Sequence, residues 1–150
     1  MGVFEKALIA GKALYEYIPQ RPPIVMVDSY YGKDGVCSYT GLTPDDSSIF
    51  CEDGFFTESG IIEHMAQSAA VVAGVDCKSR GVEIPIGFIG AVSKLKIERL
   101  PASGTSLHST VSEIQKFQDI SLVSVLVENQ GERIAYGELK IFLQNNIKFI

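Results

Sequence analysis

Three cysteines and two histidines are all that this chain carries of the side chains most used to hold metals or form covalent links. Cys37, Cys51 and Cys77 are scattered. They make neither a disulfide framework nor a metal-ligand spacing, and they fit a reducing cytoplasm. No apolar run is long enough to span a bilayer. Basic residues are also few: 13 Lys and Arg against 18 Asp and Glu give a net charge of −5 and a pI near 5.0. That balance argues against a general nucleic-acid binder. The opening "MGVFEKALIAGKALYEYIP" lacks the basic start and continuous apolar stretch of a secretory signal. Linkers, repeats and low-complexity tracts are missing too, so residues 1–150 are expected to form one domain with a real core.

What is present reads as alternating helix and strand signals. Phe4, Ala7, Leu8 and Leu14 suggest a short first helix, ended by the prolines of "IPQRPP". "IVMVDSYY" reads as a strand, "KDG" as a turn and "VCSYTGLT" as its hairpin partner. "PDDSSIFCEDG" reads as loop, and a long helix follows from Gly60 to about Val75. Four strands then succeed one another: "IGFIGAVSKLKIER", "TSLHSTVSEIQ", "ISLVSVLVEN" and "RIAYGELKIFLQ". The expected class is α+β, one central helix wrapped by a curled antiparallel sheet.

The helix holds an anomaly. In "GFFTESGIIEHMAQSAA", Glu63 and His64 stand among Ile61, Ile62, Met65, Ala66, Ala69 and Ala70. At 100° per residue, Glu63 and Gln67 share a stripe with Ala70 and Gly74, and His64 shares the next with Ser68. A carboxylate on such a helix suits proton transfer if it lines a cleft. The alternative is a capping box, with Glu63 bonding back to the helix start. His64 is either a catalytic base or a satisfied core or interface residue. Alternation places His108 on the solvent side of its strand.

The order of these motifs resembles the hotdog-fold 3-hydroxyacyl-acyl carrier protein dehydratases. "YIPQRPPIVMVD" is similar to that family's Leu-Pro-His-Arg-x-Pro start and apolar-Asp strand, through Pro19, Arg21, Pro23 and Asp28. "IIEHMAQSAA" resembles its Glu-x-apolar-Ala-Gln helix through Glu63, Ala66 and Gln67. The likeness runs from about residue 17 to residue 143, and is greatest to a subgroup of aryl polyene and flexirubin gene clusters. Two departures stand out. Gln20 takes the place of the family's first His, and the loop position expected to hold its catalytic His is Ile49.

The resemblance implies a lyase that needs no metal or organic cofactor and removes water from 3-hydroxyacyl thioesters. Such chemistry requires a base at C2, an acid for the departing hydroxyl and stabilisation of the thioester oxygen. Glu63 is the candidate acid, oriented by Gln67, and His64 the candidate base. The backbone N–H groups of Gly60 and Ile61 are candidates for the oxygen. Phe88 and Gly90 are candidate walls of an acyl tunnel, Gly90 allowing close backbone approach. Lys94, Lys96 and Arg99 are a candidate docking patch for an acidic acyl carrier protein. An open sheet edge implies a homodimer. Two other readings stay open: a non-catalytic hotdog subunit that binds the carrier or completes a heterodimer, and a hotdog acyl thioesterase.

Overall fold

The computed structural model describes residues 2–144; Met1 and residues 145–150 of the expected domain lie outside the described residues. In chain order the elements are β1 (Ile9–Ala10), a 3-10 turn (Gly11–Glu16), β2 (Ser29–Asp34), β3 (Cys37–Leu42), β4 (Cys51–Glu52), β5 (Phe55–Phe56), α1 (Glu58–Ser79), β6 (Ile86–Ile97), β7 (Leu107–Phe117), β8 (Ile120–Asn129) and β9 (Glu132–Gln144). Seven strands form one antiparallel sheet in the order β1-β2-β3-β7-β8-β9-β6, and β4 and β5 form a separate small hairpin. The sheet wraps one side of α1, as the sequence predicts.

Helix α1 is longer than its apolar stretch suggests, because both ends are capped by neighbouring sequence. Thr57 starts it: the Thr57 Oγ1 accepts from the N–H of Gly60 at 3.3 Å. Gly60 is required there, since a Cβ would stand 2.6 Å from the ring of Phe56. At the other end the N–H of Val82 returns to the carbonyl of Cys77 at 3.0 Å and that of Gly81 to Lys78 at 3.1 Å. Gly81 sits at φ +69°, which completes a Schellman ending.

The core lies between α1 and the sheet. Phe56, Ile61 and Met65 pack with Leu107, Val111, Val125, Ile134 and Leu139. Each such side chain contributes roughly 1.5–3 kcal/mol when fully buried. A smaller cluster of Leu14, Ile18, Val27, Tyr30 and Val71 fastens the N-terminal region to the back of the helix.

Three local expectations differ from the structure. The first stretch is no α-helix: it bends at Gly11, at φ +61°, into the 3-10 turn. In "IVMVDSYY" strand pairing begins only at Ser29, for a reason that lies in the helix. His108 does stand on the outer face of β7, but solvent does not own it. The ring of Phe4 stacks on it at 4.5 Å and 12°, with Tyr31 edge-on at 6.0 Å. Burial under that aromatic lid lowers the pKa of His108.

Candidate active site

Helix α1 carries two polar pairs, Glu63–Gln67 and His64–Ser68, that meet at the backbone of Met26 and diverge beyond it. Gln67 is 1% exposed, yet its carboxamide is fully used. Its Oε1 accepts from the N–H of Met26 at 2.6 Å. Its Nε2 donates to the carbonyl of Ile24 at 2.9 Å and to Oε2 of Glu63 at 2.7 Å. The bonds to Ile24 and Met26 are those that a flanking strand's peptide would make. At Met26 helix side chains take both backbone groups, Gln67 the N–H and His64 the carbonyl, so this residue stands outside the strand ladder. These bonds fix the Gln67 plane and aim its second N–H at Glu63. Glu63 therefore does not bond back to the helix start, a role that Thr57 fills. The carboxylate remains partly exposed, and Gln67 is its hydrogen-bond partner among the described residues.

His64 is its opposite. The ring is fully buried. Nδ1 lies 2.7 Å from the carbonyl of Met26, so it must donate, and the neutral ring then offers Nε2 as an acceptor. The hydroxyl of Ser109, at 2.8 Å, donates to it. Burial pushes the His64 pKa down to about 4, so the ring is neutral at physiological pH. Beside it, Thr40 Oγ1 donates to Ser68 Oγ at 2.8 Å. Both ring nitrogens are occupied and the ring is enclosed, the surroundings of a satisfied core histidine.

An apolar cavity of about 340 Å³ runs along the helix face beyond Glu63. Ala66, Ala70, Ala73 and Gly74 form its floor, Ile86, Gly87 and Ile89 of β6 one wall, and Tyr17 to Gln20 the other. Glu63 stands one turn beyond Ala66 and Gln67, just outside the cavity lining. Gly74 lets the facing wall approach the helix closely: a Cβ there would meet the carbonyl oxygen of Tyr17 at 2.7 Å. A larger cavity of about 680 Å³, with a more polar rim that includes Lys33, Arg80, Glu83 and Lys116, adjoins it under the loop at Ile84–Ile86.

The remaining sequence candidates fall elsewhere. The N–H groups of Gly60 and Ile61 are taken by Oγ1 and the carbonyl of Thr57, so neither is free for a thioester oxygen. Phe88 pairs with Phe142 on the face of the sheet turned away from α1, and Gly90 lies under the Phe142 ring, where a Cβ would come within 2.0 Å of it. Neither lines the cavity; the inward positions of β6 are Gly87 and Ile89. Lys94 and Lys96 extend into solvent beside Glu138 and Glu98, at 3.6 and 3.3 Å. Arg99 is committed to structure: it donates to Oδ1 and the carbonyl of Asn129 at 3.0 and 3.1 Å. Sequence reasoning missed the Ile24–Met26 backbone, Ser109 and the wall at Tyr17–Gln20. Hydrogen bonds across 38 to 45 residues tie the first two to α1 and leave no local signal.

The ApeP-like family profile, described as ApeP dehydratase, matches residues 12–149. The chain belongs to the ApeP-like dehydratase family. Among solved structures it is similar to the dehydratase heterocomplex ApeI:P from Xenorhabdus doucetiae, at 18% identity and a TM-score of 0.80, over 88% of this chain and 91% of that one. It is also similar to a mutant hypothetical thioesterase from Streptococcus pneumoniae TIGR4, at 13% identity and a TM-score of 0.62, over 79% and 91%. A third likeness is smu.793 from Streptococcus mutans UA159 bound to acetyl CoA, at 17% identity and a TM-score of 0.62, over 79% and 90%. No curated protein matches the sequence. At these identities the structural likenesses establish the fold, hotdog, and the family assignment rests on the profile. No helix among the described residues is long and apolar enough to cross a membrane.

Proposed function

We propose that this ApeP-like dehydratase is a hotdog subunit acting on 3-hydroxyacyl thioesters of an acyl carrier protein. Glu63 is its acid-base residue, and the apolar face of α1 receives the acyl chain. The observation that carries this reading is the Glu63–Gln67 pair at 2.7 Å. A carboxylate held by a fully bonded carboxamide is fixed in direction, one helical turn before Ala66, the first of the small helix residues that line the cavity. Dehydration then divides as the chemistry demands. The Glu63 carboxyl gives a proton to the leaving hydroxyl at C3 while a base takes one from C2, so that water departs and the double bond forms.

The base comes from a second subunit in this reading. His64 is sealed, His108 lies on the far face of the sheet beneath Phe4, and the sequence holds no further histidine. Strand β6 is where that subunit would attach. Among the described residues it pairs with β9 on one side only, and Ile86, Phe88, Ile89, Val92 and Leu95 along it are exposed. A long apolar edge of this kind is a pairing surface. The Xenorhabdus structure is a heterocomplex, which favours a distinct partner over a second copy as the source of the histidine. Lys94 and Lys96, at the end of the same strand, remain the proposed carrier-docking charges.

The test is a product assay on a 3-hydroxyacyl carrier substrate, with the chain alone and with a histidine-bearing hotdog partner. The enoyl product is expected with the partner. Free acid would assign a thioesterase instead. Glu63→Gln keeps the shape and the bond to Gln67, so turnover should fall about 100-fold or more with folding preserved. Full activity in that variant would remove Glu63 from the chemistry. Sedimentation of the chain alone distinguishes self-pairing through β6 from a monomer that waits for its partner.

A further inference from the structure

The cavity wall at Tyr17–Gln20 belongs to no helix or strand. In "IPQRPP" three residues of the six are proline, which has no N–H to give to a ladder. The wall is held instead by one side chain. The Arg21 guanidinium donates to the carbonyls of Ile18 and Gln20, each at 2.8 Å, and to that of Tyr15 at 3.1 Å, and it stacks over the Tyr15 ring at 4.5 Å. Among the described residues no carboxylate pairs with it. Arg21 does not itself line the cavity. Its planar fork is used on neutral carbonyls of the wall, a task of geometry more than of charge.

The same residue holds the segment that follows. The carbonyl of Arg21 accepts from the N–H of Ile24 at 2.9 Å and from that of Val25 at 3.2 Å. The carbonyl of Ile24 in turn accepts from Nε2 of Gln67, and the same nitrogen donates to Oε2 of Glu63. One run of hydrogen bonds therefore leads from the cavity wall, through Arg21 and Ile24, to the carboxylate. Each link sets a direction as well as a distance, so a shift of the Arg21 backbone is passed to the Gln67 plane.

We infer that Arg21 is a positioning residue for the proposed dehydration: without touching substrate, it holds the acyl cavity wall and the Glu63 carboxylate in one fixed relation. This inference rests on the roles proposed for Glu63 and the helix face. An acyl chain seated between the wall and α1 sets where its C3 hydroxyl stops, and Gln67 sets where the Glu63 carboxyl points. Proton transfer needs the two to meet at hydrogen-bond distance. A guanidinium is the side chain that fits this task. Lysine carries the same charge, but its ammonium is a point donor and does not span three carbonyls from one plane.

The test reads chemistry and structure apart. Turnover of a 3-hydroxyacyl pantetheine thioester to the enoyl product is followed in the complex with a histidine-bearing hotdog partner, for the unsubstituted chain, Arg21→Met and Arg21→Lys. Both variants should lower kcat per folded molecule about 10- to 100-fold, the scale expected when a catalytic group is misplaced by about 1 Å. Arg21→Lys keeps the test available if Arg21→Met does not fold. Amide exchange is measured by NMR on the chain alone. The Met26 N–H is bonded to Oε1 of Gln67. It should exchange about tenfold faster in both variants, a larger factor than that of the Val125 N–H in the sheet core. Full kcat in Arg21→Lys would mean that the charge acts and not the fork, and a loss seen only with a carrier-borne substrate would make Arg21 a docking residue. Either result overturns the inference. So does a rise in KM alone with kcat and Met26 exchange unchanged, which would leave Arg21 as a holder of the wall without a link to Glu63. In all three cases the proposed reaction stands. If the unsubstituted complex forms no enoyl product, the inference falls together with that reaction.

Discussion

Glu63 and His64 are neighbours in the chain and end on opposite terms with their surroundings. On the sheet side of α1, the polar groups close on one another: His64 with Met26 and Ser109, and Ser68 with Thr40. On the side facing residues 17–24, the network ends open. Gln67 is saturated, but the chain of bonds stops at a partly exposed Glu63 carboxylate. The same residue types serve two purposes. Where the hydrogen bonds form a closed set, polar side chains join helix to sheet. Where the set ends on a group with unused capacity, the helix has something to offer a ligand.

The comparison breaks most severely at Gln67, which belongs to both functions. Gln67→Leu strips partners from the buried N–H of Met26 and the carbonyl of Ile24 and releases Glu63. Stability should fall by roughly 2–4 kcal/mol, from two orphaned backbone groups, and turnover by about 100-fold through the misdirected carboxylate. Denaturant melts and rate measurements on the folded fraction read the two effects separately. A variant that lost stability alone would show that Glu63 needs no orientation.

His64 tests the closed side. His64→Leu leaves the Met26 carbonyl and the Ser109 hydroxyl bare and should lower stability by about 2–3 kcal/mol. In His64→Asn, the side-chain amide can still reach the Met26 carbonyl, so about half that loss is expected. Activity per folded molecule should hold in both. A hundredfold fall in His64→Asn with the melting temperature intact would make His64 the base after all.

The same residue sets a pH dependence. The unfolded chain's His64 titrates near 6.5 and the folded one at about 4. Between these values the unfolded state binds more protons. The stabilisation is therefore complete above pH 6.5 and is lost as pH falls towards 4, with a span of about 3 kcal/mol. His108, lowered by burial, adds a change of the same sign. Chemical denaturation from pH 7 to pH 4 should show a steep decline in the unsubstituted chain and a shallower one in His64→Asn. Parallel curves would mean that His64 is not neutral in the fold.

How much of this was legible in the sequence follows from how far apart the partners lie. The helix, the last four strands and the Glu63–Gln67 stripe are written at spacings of two, three and four residues, and all are present in the structure. Thr57 and Gly81 could have given the true helix ends, since both carry cap chemistry, but the apolar run drew the boundaries inward. The fate of His64 was not legible: its partners Met26 and Ser109 are 38 and 45 residues away. Gly90 was misread for a related reason. A strand glycine allows close approach by something, and only the register, Phe88 opposite Phe142, shows that the something is a phenyl ring on the outer face.

The smallest effect is expected at the far end of the cavity. There Lys78 of α1 reaches Glu16 of the 3-10 turn at 2.6 Å and lies 5.0 Å above the Tyr17 ring, across the mouth lined by Glu16 and Tyr17. The contact lowers the pKa of Glu16 and raises that of Lys78. Both side chains are nevertheless more than half exposed, and water and salt screen a pair of this kind almost completely. Glu16→Gln should leave the melting temperature unchanged within error at 0.15 M salt. What holds residues 11–18 to the helix is instead the apolar cluster of Leu14, Ile18 and Val71, together with the close approach of Tyr17 to Gly74. Melting Glu16→Gln beside Leu14→Ala decides between the two. A loss of about 2–5 kcal/mol in Leu14→Ala and none in Glu16→Gln is expected. A drop in Glu16→Gln approaching that of Leu14→Ala would mean that the ion pair, and not the packed turn behind it, keeps the wall of the open face in place.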